Sequence, residues 1–206
     1  VQDILPSHVS CVYIRQAEAL GLGHAVNCAR PVVGDDPFAV ILADDLIDAE
    51  GRNALQQMVD VYENHGCSVL GVEEVPPEDT GSYGIVTPRA CAENLWDVVS
   101  IVEKPRPEQA PSSMAVVGRY ILTPRIFDLL ERTGRGAGGE IQLTDAISAL
   151  LSEERVLAYR FAGVRYDCGN KLGYLQATVE YALKHPELAQ DFRSYLQSGI
   201  CPRLEG

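Results

Sequence analysis

The 206 residues lack any CxxC pair and any cluster of Cys with His; the six cysteines stand far apart, at 11, 28, 67, 91, 168 and 201. That spread excludes a zinc ribbon and suits reduced thiols, mostly in a core, better than a disulfide framework. No apolar run reaches membrane-spanning length, and no signal peptide is recognisable. Positive charge is scarce, with 17 Lys and Arg against 29 Asp and Glu and a net charge of −12. Nucleic acid and anionic membrane are therefore excluded as partners bound through bulk electrostatics. A phosphorylated substrate is not excluded, because a bound cation and a few well-placed basic side chains set the local field. Internal repeats, low-complexity tracts, the Walker loop and the dinucleotide fingerprint are all missing. The expectation from these absences is a cytoplasmic protein without nucleic-acid or membrane partners.

What remains is enough apolar sequence, 46% of the chain, for one α/β domain with a real core. The stretch at 38–45, FAVILADD, organises the rest. Its six consecutive apolar residues predict a strand buried on both faces, as in a parallel sheet covered by helices. Two aspartates follow it. Ligands of open α/β sheets sit outside the carboxyl ends of the strands, which puts Asp44 and Asp45 at the mouth of a crevice, and alternation turns only one of them towards a ligand. A carboxylate there can hold a divalent cation, and the cation can hold phosphate; a solvated acidic turn accounts for the pair equally well.

Residues 9–15 (VSCVYIR) predict an earlier strand. Gln16 and the run GLGHAVNCA at 21–29 then predict a glycine-rich turn into a helix, with His24 as a packed or capping residue. A helix at 53–64 follows from Leu55, Met58, Val59 and Tyr62, with Asn53 as its N-cap and Gly66 as its stop. A strand at 68–75 completes a strand–helix–strand rhythm. From residue 82 the rhythm changes to three strands in succession, ended by Pro88, Pro105 and Pro124, which predicts an antiparallel portion and hence a mixed sheet. Glu103 and Lys104 end the second of these strands: a Lys there can meet a phosphate and a Glu can accept from sugar hydroxyls, although an exposed ion pair is the simpler account. Gly84 and Gly118 suggest close approach of a ligand or of another backbone. A helix at 125–133, a glycine loop, a helix capped by Thr144, and short strands at 156–161 and 164–166 come next. The last strand runs into Asp167. If Asp44 and Asp167 end neighbouring strands, two carboxylates converge on one metal position. From Lys171 onward the chain is a helical tail, with Leu172, Leu175, Val179 and Ala182 on one face that can cover the domain or a second subunit.

Taken in order, Gln16 with GLGHA, ILADD, YGIV, VEKP, VVGRY, GGEIQLTDAI and YDCGNKLGY resemble the sugar-1-phosphate nucleotidylyltransferase family, over residues 9–181. The last two segments resemble its bacterial uridylyltransferase branch. The resemblance implies a Rossmann-like fold, a mixed, mostly parallel sheet flanked by helices, in one domain over 1–206 with a tail at 171–206. It implies that UTP and glucose 1-phosphate are joined to UDP-glucose and pyrophosphate with Mg²⁺, in a homo-oligomer. It places Gln16 and the Gly21 backbone on the uracil, Gly84, Glu103 and Val116 on the glucose, Lys104 on the phosphate, and Asp44 and Asp167 on Mg²⁺. The family's GxGTRxxP segment does not occur in these residues, so an amino-terminally incomplete domain, inactive in isolation, is expected. A thymidylyl or other nucleotide preference, and a non-catalytic sugar-nucleotide-binding protein, remain alternatives. A glycosyltransferase would explain the strand-end aspartates but not VEKP and GGEIQLTD together.

Overall fold

A computed structural model describes residue 6 and residues 8–200; the ends of the expected domain and tail, and Cys201, lie outside the described residues. In chain order the elements are α1 (Leu22–Cys28), α2 (Arg30–Val33), β1 (Phe38–Ile41), β2 (Asp45–Asp48), α3 (Ala54–His65), β3 (Ser68–Glu74), β4 (Gly84–Ala92), β5 (Leu95–Glu103) and β6 (Met114–Leu122). They continue with α4 (Arg125–Leu130), α5 (Leu143–Leu150), β7 (Val156–Tyr159), β8 (Val164–Asp167), α6 (Lys171–Lys184) and α7 (Ala189–Tyr195). Six strands form one sheet in the order β1-β6-β3-β7-β5-β4, with β4 also paired to β6, and β2 and β8 form a second sheet of two.

The sheet is mixed, as expected. Strands β1, β3 and β4 are each antiparallel to β6, and β7 is parallel to β3, so four of the six strands point the same way. Neighbours are nevertheless mostly antiparallel, and β3–β7 is the one parallel pair among the described strands. The expectation of mostly parallel pairing is corrected accordingly: the successive strands do lie beside the parallel pair, β6 against β3 and β5 against β7, but they flank it on both sides and leave it as the sole parallel contact among the described strands.

Alternation along the central strands builds the two faces. Leu70, Val72, Tyr120 and Leu122 turn towards α4 and α5, where they pack with Phe127, Ile147 and Leu150. Val69 and Ile121 turn the other way, onto Met58 of α3. The amphipathic reading of α3 holds, and its ends are set as the sequence implies. The Asn53 side chain accepts from the Gln56 amide while the Gln56 side chain accepts from the Asn53 amide, and Gly66 closes the helix in the left-handed conformation.

Other expectations fail for physical reasons. Residues 9–15 form no strand; Val12 and Tyr13 are exposed. A strand needs a partner for its backbone, and no described strand pairs with this segment. β1 is an edge strand paired only to β6, with residues alternating between half-buried and exposed, so it is not buried on both faces. Pro88 does not end β4; the strand continues to Ala92, with a register shift between Thr87 and Pro88 absorbing the missing N–H. The helix expected to be capped by Thr144 starts two residues earlier, with Gln142 at its N-cap, and the Thr144 hydroxyl is engaged elsewhere. Lys104, expected to be extended because Pro105 follows it, has φ 45°. Its amide donates to the Tyr83 carbonyl at 2.9 Å, a bond that holds the strand end in this turn.

The reciprocal caps at the start of α3 give a first prediction. Asn53→Ala removes the acceptor for the Gln56 amide and should cost about 1 kcal/mol. Urea unfolding followed by circular dichroism should show a lower midpoint with an unchanged slope.

Candidate active site

The register of the sheet gathers residues that are far apart in sequence. Gly84 is opposite Glu103 across β4–β5 and opposite Val116 across β4–β6. Lys104 follows Glu103 directly. In the second sheet, Asp45 is opposite Asp167, which brings Asp44 beside the end of β8. The result is that Asp44, Gly84, Glu103, Lys104, Val116 and Asp167 line one cavity of about 330 Å³. Gln16 and Gly21 adjoin it without lining it. The Gln16 amide donates to the Gly21 carbonyl at 3.1 Å and lies 2.8 Å from His24 Nδ1, while the next residue, Leu22, forms part of the wall.

Each wall has a local cause. A Cβ at Gly84 would stand 3.2 Å from Thr144 Oγ1 and 3.4 Å from Glu103 Oε2, so glycine lets α5 approach β4. That approach allows the Thr144 hydroxyl to donate to Glu103 at 2.6 Å, which orients a carboxylate that is largely buried. Glu103 Oε1 also lies 3.7 Å from Lys104 Nζ. The expected exposed ion pair is therefore only half right, because the Lys end is open and the Glu end is not.

The two carboxylates expected to share a metal do converge. An Asp167 oxygen and an Asp44 oxygen stand 3.0 and 3.1 Å from the point that a Cβ on Gly169 would occupy. The missing side chain at 169 thus leaves open the space between them. Two hard oxygens with room for water and phosphate suit Mg²⁺, which keeps much of its hydration and needs few protein ligands. Among the described residues, no group of three or more His, Cys, Asp or Glu forms a metal cage.

Beneath this pair lies a cluster that the sequence analysis missed. Asp45 is buried, 5% exposed. It accepts from the Gly118 amide at 2.5 Å and from Arg165 Nε at 2.5 Å. Arg165, whose side chain is 7% exposed, also donates to Glu73 at 2.6 Å and lies 3.7 Å from Asp167 Oδ2. Its guanidinium stacks on the Tyr83 ring at 5.2 Å. Burial opposes the Arg165 charge, but bonding to Tyr83, Asp45 and Glu73 outweighs it and holds the guanidinium pKa above the ordinary arginine value. Burial raises Glu73 above the usual carboxylate range, with Arg165 opposing that shift, and burial likewise raises the Tyr83 phenol. A signal for Arg165 existed: on a strand, residues 165 and 167 share a face, so an Arg two places before a ligand-facing Asp sits next to it.

Comparison with known proteins shows the family. The nucleotidyl transferase family matches residues 2–184. The chain is 50% identical over 185 residues to the UTP–glucose-1-phosphate uridylyltransferase of Staphylococcus epidermidis, covering 90% of this chain and 64% of that protein. It is 52% identical over 167 residues to the protein of the same name from Pseudomonas aeruginosa, covering 81% and 60%. A solved structure of UTP-bound UGPase from Acinetobacter baumannii superposes with a TM-score of 0.87 at 43% identity, over 96% of this chain and 69% of that one. A UDP-glucose pyrophosphorylase complexed with UDP-glucose superposes at 0.82 and 42% identity, over 84% and 66%. The chain spans slightly less than two thirds of the length of the two curated relatives.

The buried cluster predicts a contrast in stability. Arg165→Met leaves Asp45 charged and unpaired in the interior and should cost on the order of 3–5 kcal/mol. Asp44→Asn, at an exposed position, should stay within about 0.5 kcal/mol. Paired urea unfolding curves check both; equal losses would contradict the division of roles between the adjacent aspartates.

Proposed function

Because this chain belongs to the nucleotidyl transferase family, we propose that it carries the sugar-phosphate and metal-binding walls of an enzyme that joins UTP and glucose 1-phosphate to give UDP-glucose and pyrophosphate. The observation that carries this is the single cavity onto which Asp44, Gly84, Glu103, Lys104, Val116 and Asp167 converge. The names of its relatives support the choice of UTP and glucose 1-phosphate.

In this assignment Gly84, Glu103 and Val116 hold the glucose. Glu103, kept in place by Thr144, accepts from sugar hydroxyls, and the bare Gly84 backbone lets the ring come close. Lys104 contacts the phosphate of glucose 1-phosphate as a point charge. Gln16 and the Gly21 backbone meet the uracil edge. Asp44 and Asp167 hold Mg²⁺, which supplies charge neutralisation at the phosphates when bound. A phosphate oxygen of glucose 1-phosphate attacks the α-phosphorus of UTP in line, and pyrophosphate leaves. The chain's own side chains contribute position and charge to that step and form no covalent intermediate with substrate.

The described residues form one nucleotidyl transferase domain with the segment from Lys171 as its tail. The apolar residues Leu172, Leu175 and Val179 are exposed on α6, which supports a homo-oligomer. All five described cysteines are free, which supports a reducing, cytoplasmic setting. No helix among the described residues is long and apolar enough to cross a membrane.

The test is pyrophosphate release by the full-length gene product from UTP, dTTP and ATP, each with glucose 1-phosphate. UTP should be preferred. Release from none of the three, with UDP-glucose still bound, would identify a binding protein instead. Asp44→Asn and Asp167→Asn should each lower turnover on the order of 10²–10³-fold, as the loss of one preorganised electrostatic contact does.

Lys104→Ala should raise the KM for glucose 1-phosphate more than the KM for UTP, because the residue sits beside Glu103 on the sugar wall. Steady-state kinetics with each substrate varied in turn reads this directly. A KM raised for UTP alone would place Lys104 on the wrong substrate.

A further inference from the structure

Asp167 has two carboxylate oxygens with different surroundings. One of them, Oδ1, accepts from the Gly169 amide at 2.9 Å and is the oxygen that faces Asp44 across the gap at Gly169. The other, Oδ2, points away from that gap. It accepts from the Tyr83 hydroxyl at 3.3 Å and has Arg165 Nη2 at 3.7 Å. Arg165 is itself held on the remaining sides by Asp45 and Glu73 and by the face of the Tyr83 ring. The guanidinium therefore cannot swing away with Asp167, and the carboxylate is gripped at its back by two groups that are themselves fixed.

Tyr83 has a second connection. Its backbone carbonyl accepts from the Lys104 amide at 2.9 Å, so one residue touches both the Lys on the sugar wall and the Asp on the metal wall. The two contacts use different parts of Tyr83, and a substitution that removes only the hydroxyl separates them.

We infer that Tyr83 and Arg165 are positioning residues that hold Asp167 Oδ2 so that Oδ1 is presented to a divalent cation, and that this clamp sets the affinity of the site for the cation. The inference rests on the assignment of Asp44 and Asp167 as the metal ligands. Outer partners of this kind fix the orientation and basicity of a ligating group, and losing one costs about 10–100-fold in metal affinity or activity. The Tyr83 hydroxyl donates a single neutral bond to the carboxylate, so its loss belongs at the lower end of that range. Arg165 has the larger effect, but it also holds Asp45, so its removal threatens the fold. Tyr83→Phe keeps the ring over Arg165 and the backbone bond to Lys104, and so isolates the clamp.

The experiment uses Mn²⁺ as the probe on the full-length protein, with binding read by electron paramagnetic resonance in the presence of UDP-glucose, and compares wild type, Tyr83→Phe, Arg165→Lys and Asp167→Asn. The expected result is about a tenfold weaker Mn²⁺ affinity for Tyr83→Phe, with the urea midpoint close to that of wild type. In steady-state assays the activity lost by Tyr83→Phe should be recovered by raising Mg²⁺, and the KM for glucose 1-phosphate should not move. Arg165→Lys, which keeps the charge but not the planar fork, should also weaken Mn²⁺. Unchanged Mn²⁺ affinity in Tyr83→Phe, alongside a large loss in Asp167→Asn, would overturn the clamp and leave the metal assignment standing. Unchanged affinity in Asp167→Asn would overturn both. A Tyr83→Phe protein whose only change was a lower urea midpoint would show that the hydroxyl serves the fold and not the cation.

Discussion

The buried ion pair between Arg165 and Asp45 is the joint on which the site depends. Asp45 begins β2 and Arg165 lies in β8, so the pair locks the two-stranded sheet internally. The same two side chains reach the six-stranded sheet, through the Gly118 amide on β6 and through Glu73 at the end of β3. The small sheet carries Asp44 and Asp167, and the large sheet carries Gly84, Glu103 and Val116. This cluster helps to fix their relative placement, and hence the shape of the cavity, together with the Arg119 side chain on β6, which donates to the Asp45 carbonyl at 2.7 Å. A buried pair of this kind is modest as a net source of stability, because desolvation offsets its attraction, yet it is costly to break on one side. Gly118 is part of the same joint. A Cβ there would lie 2.4 Å from an Asp45 oxygen and 2.7 Å from Leu42 Cβ, so any side chain would push the two sheets apart.

How much of this was legible in the sequence depended on whether the signal was local. The ends of α3, the strand character of residues 38–41 and 68–74 and the run of three successive strands all follow from neighbours in the chain, and the structure has them. Gly84 and Gly118 were singled out as points of close approach, and both are. The failures concern pairing. Nothing local in FAVI tells an edge strand from a buried one, since burial is decided by what lies beside β1 and above it. Nothing local in VSCVYIR tells a strand from an exposed extended segment either, because a strand exists only by virtue of its partner. Thr144 illustrates the same limit at the scale of one side chain. It has the right chemistry for an N-cap, but β5 brings Glu103 within reach, and the hydroxyl donates there instead.

For the site, each aspartate and the Glu-Lys pair could be found from strand ends alone, whereas the cluster beneath them left only the spacing of Arg165 and Asp167 as a trace. Arg165 looked like an ordinary polar residue in a short strand, and only the fold reveals four partners around it. Lys104 is the converse case. The proline after it predicts an extended residue, and the observed positive φ is a departure of the kind that costs on the order of 1–3 kcal/mol. The bond from its amide to Tyr83 helps to hold the backbone in that conformation, and the same turn sets the direction in which the ammonium leaves the strand end.

The Arg165–Asp45 bond joins residues 120 positions apart, and that separation sets an order of events during synthesis. The six-stranded sheet can begin to pair with the β4–β5 hairpin and gains its centre once β6 has been made, and α3 can form earlier still. The small sheet cannot close until β8 is complete, because one of its two strands does not yet exist. Until then Asp45 is an unpaired acid facing the Gly118 backbone, and the cavity has only its sugar wall. The metal wall is thus assembled after the sugar wall, and a nascent chain arrested before residue 164 would hold a largely formed core with no place for the cation.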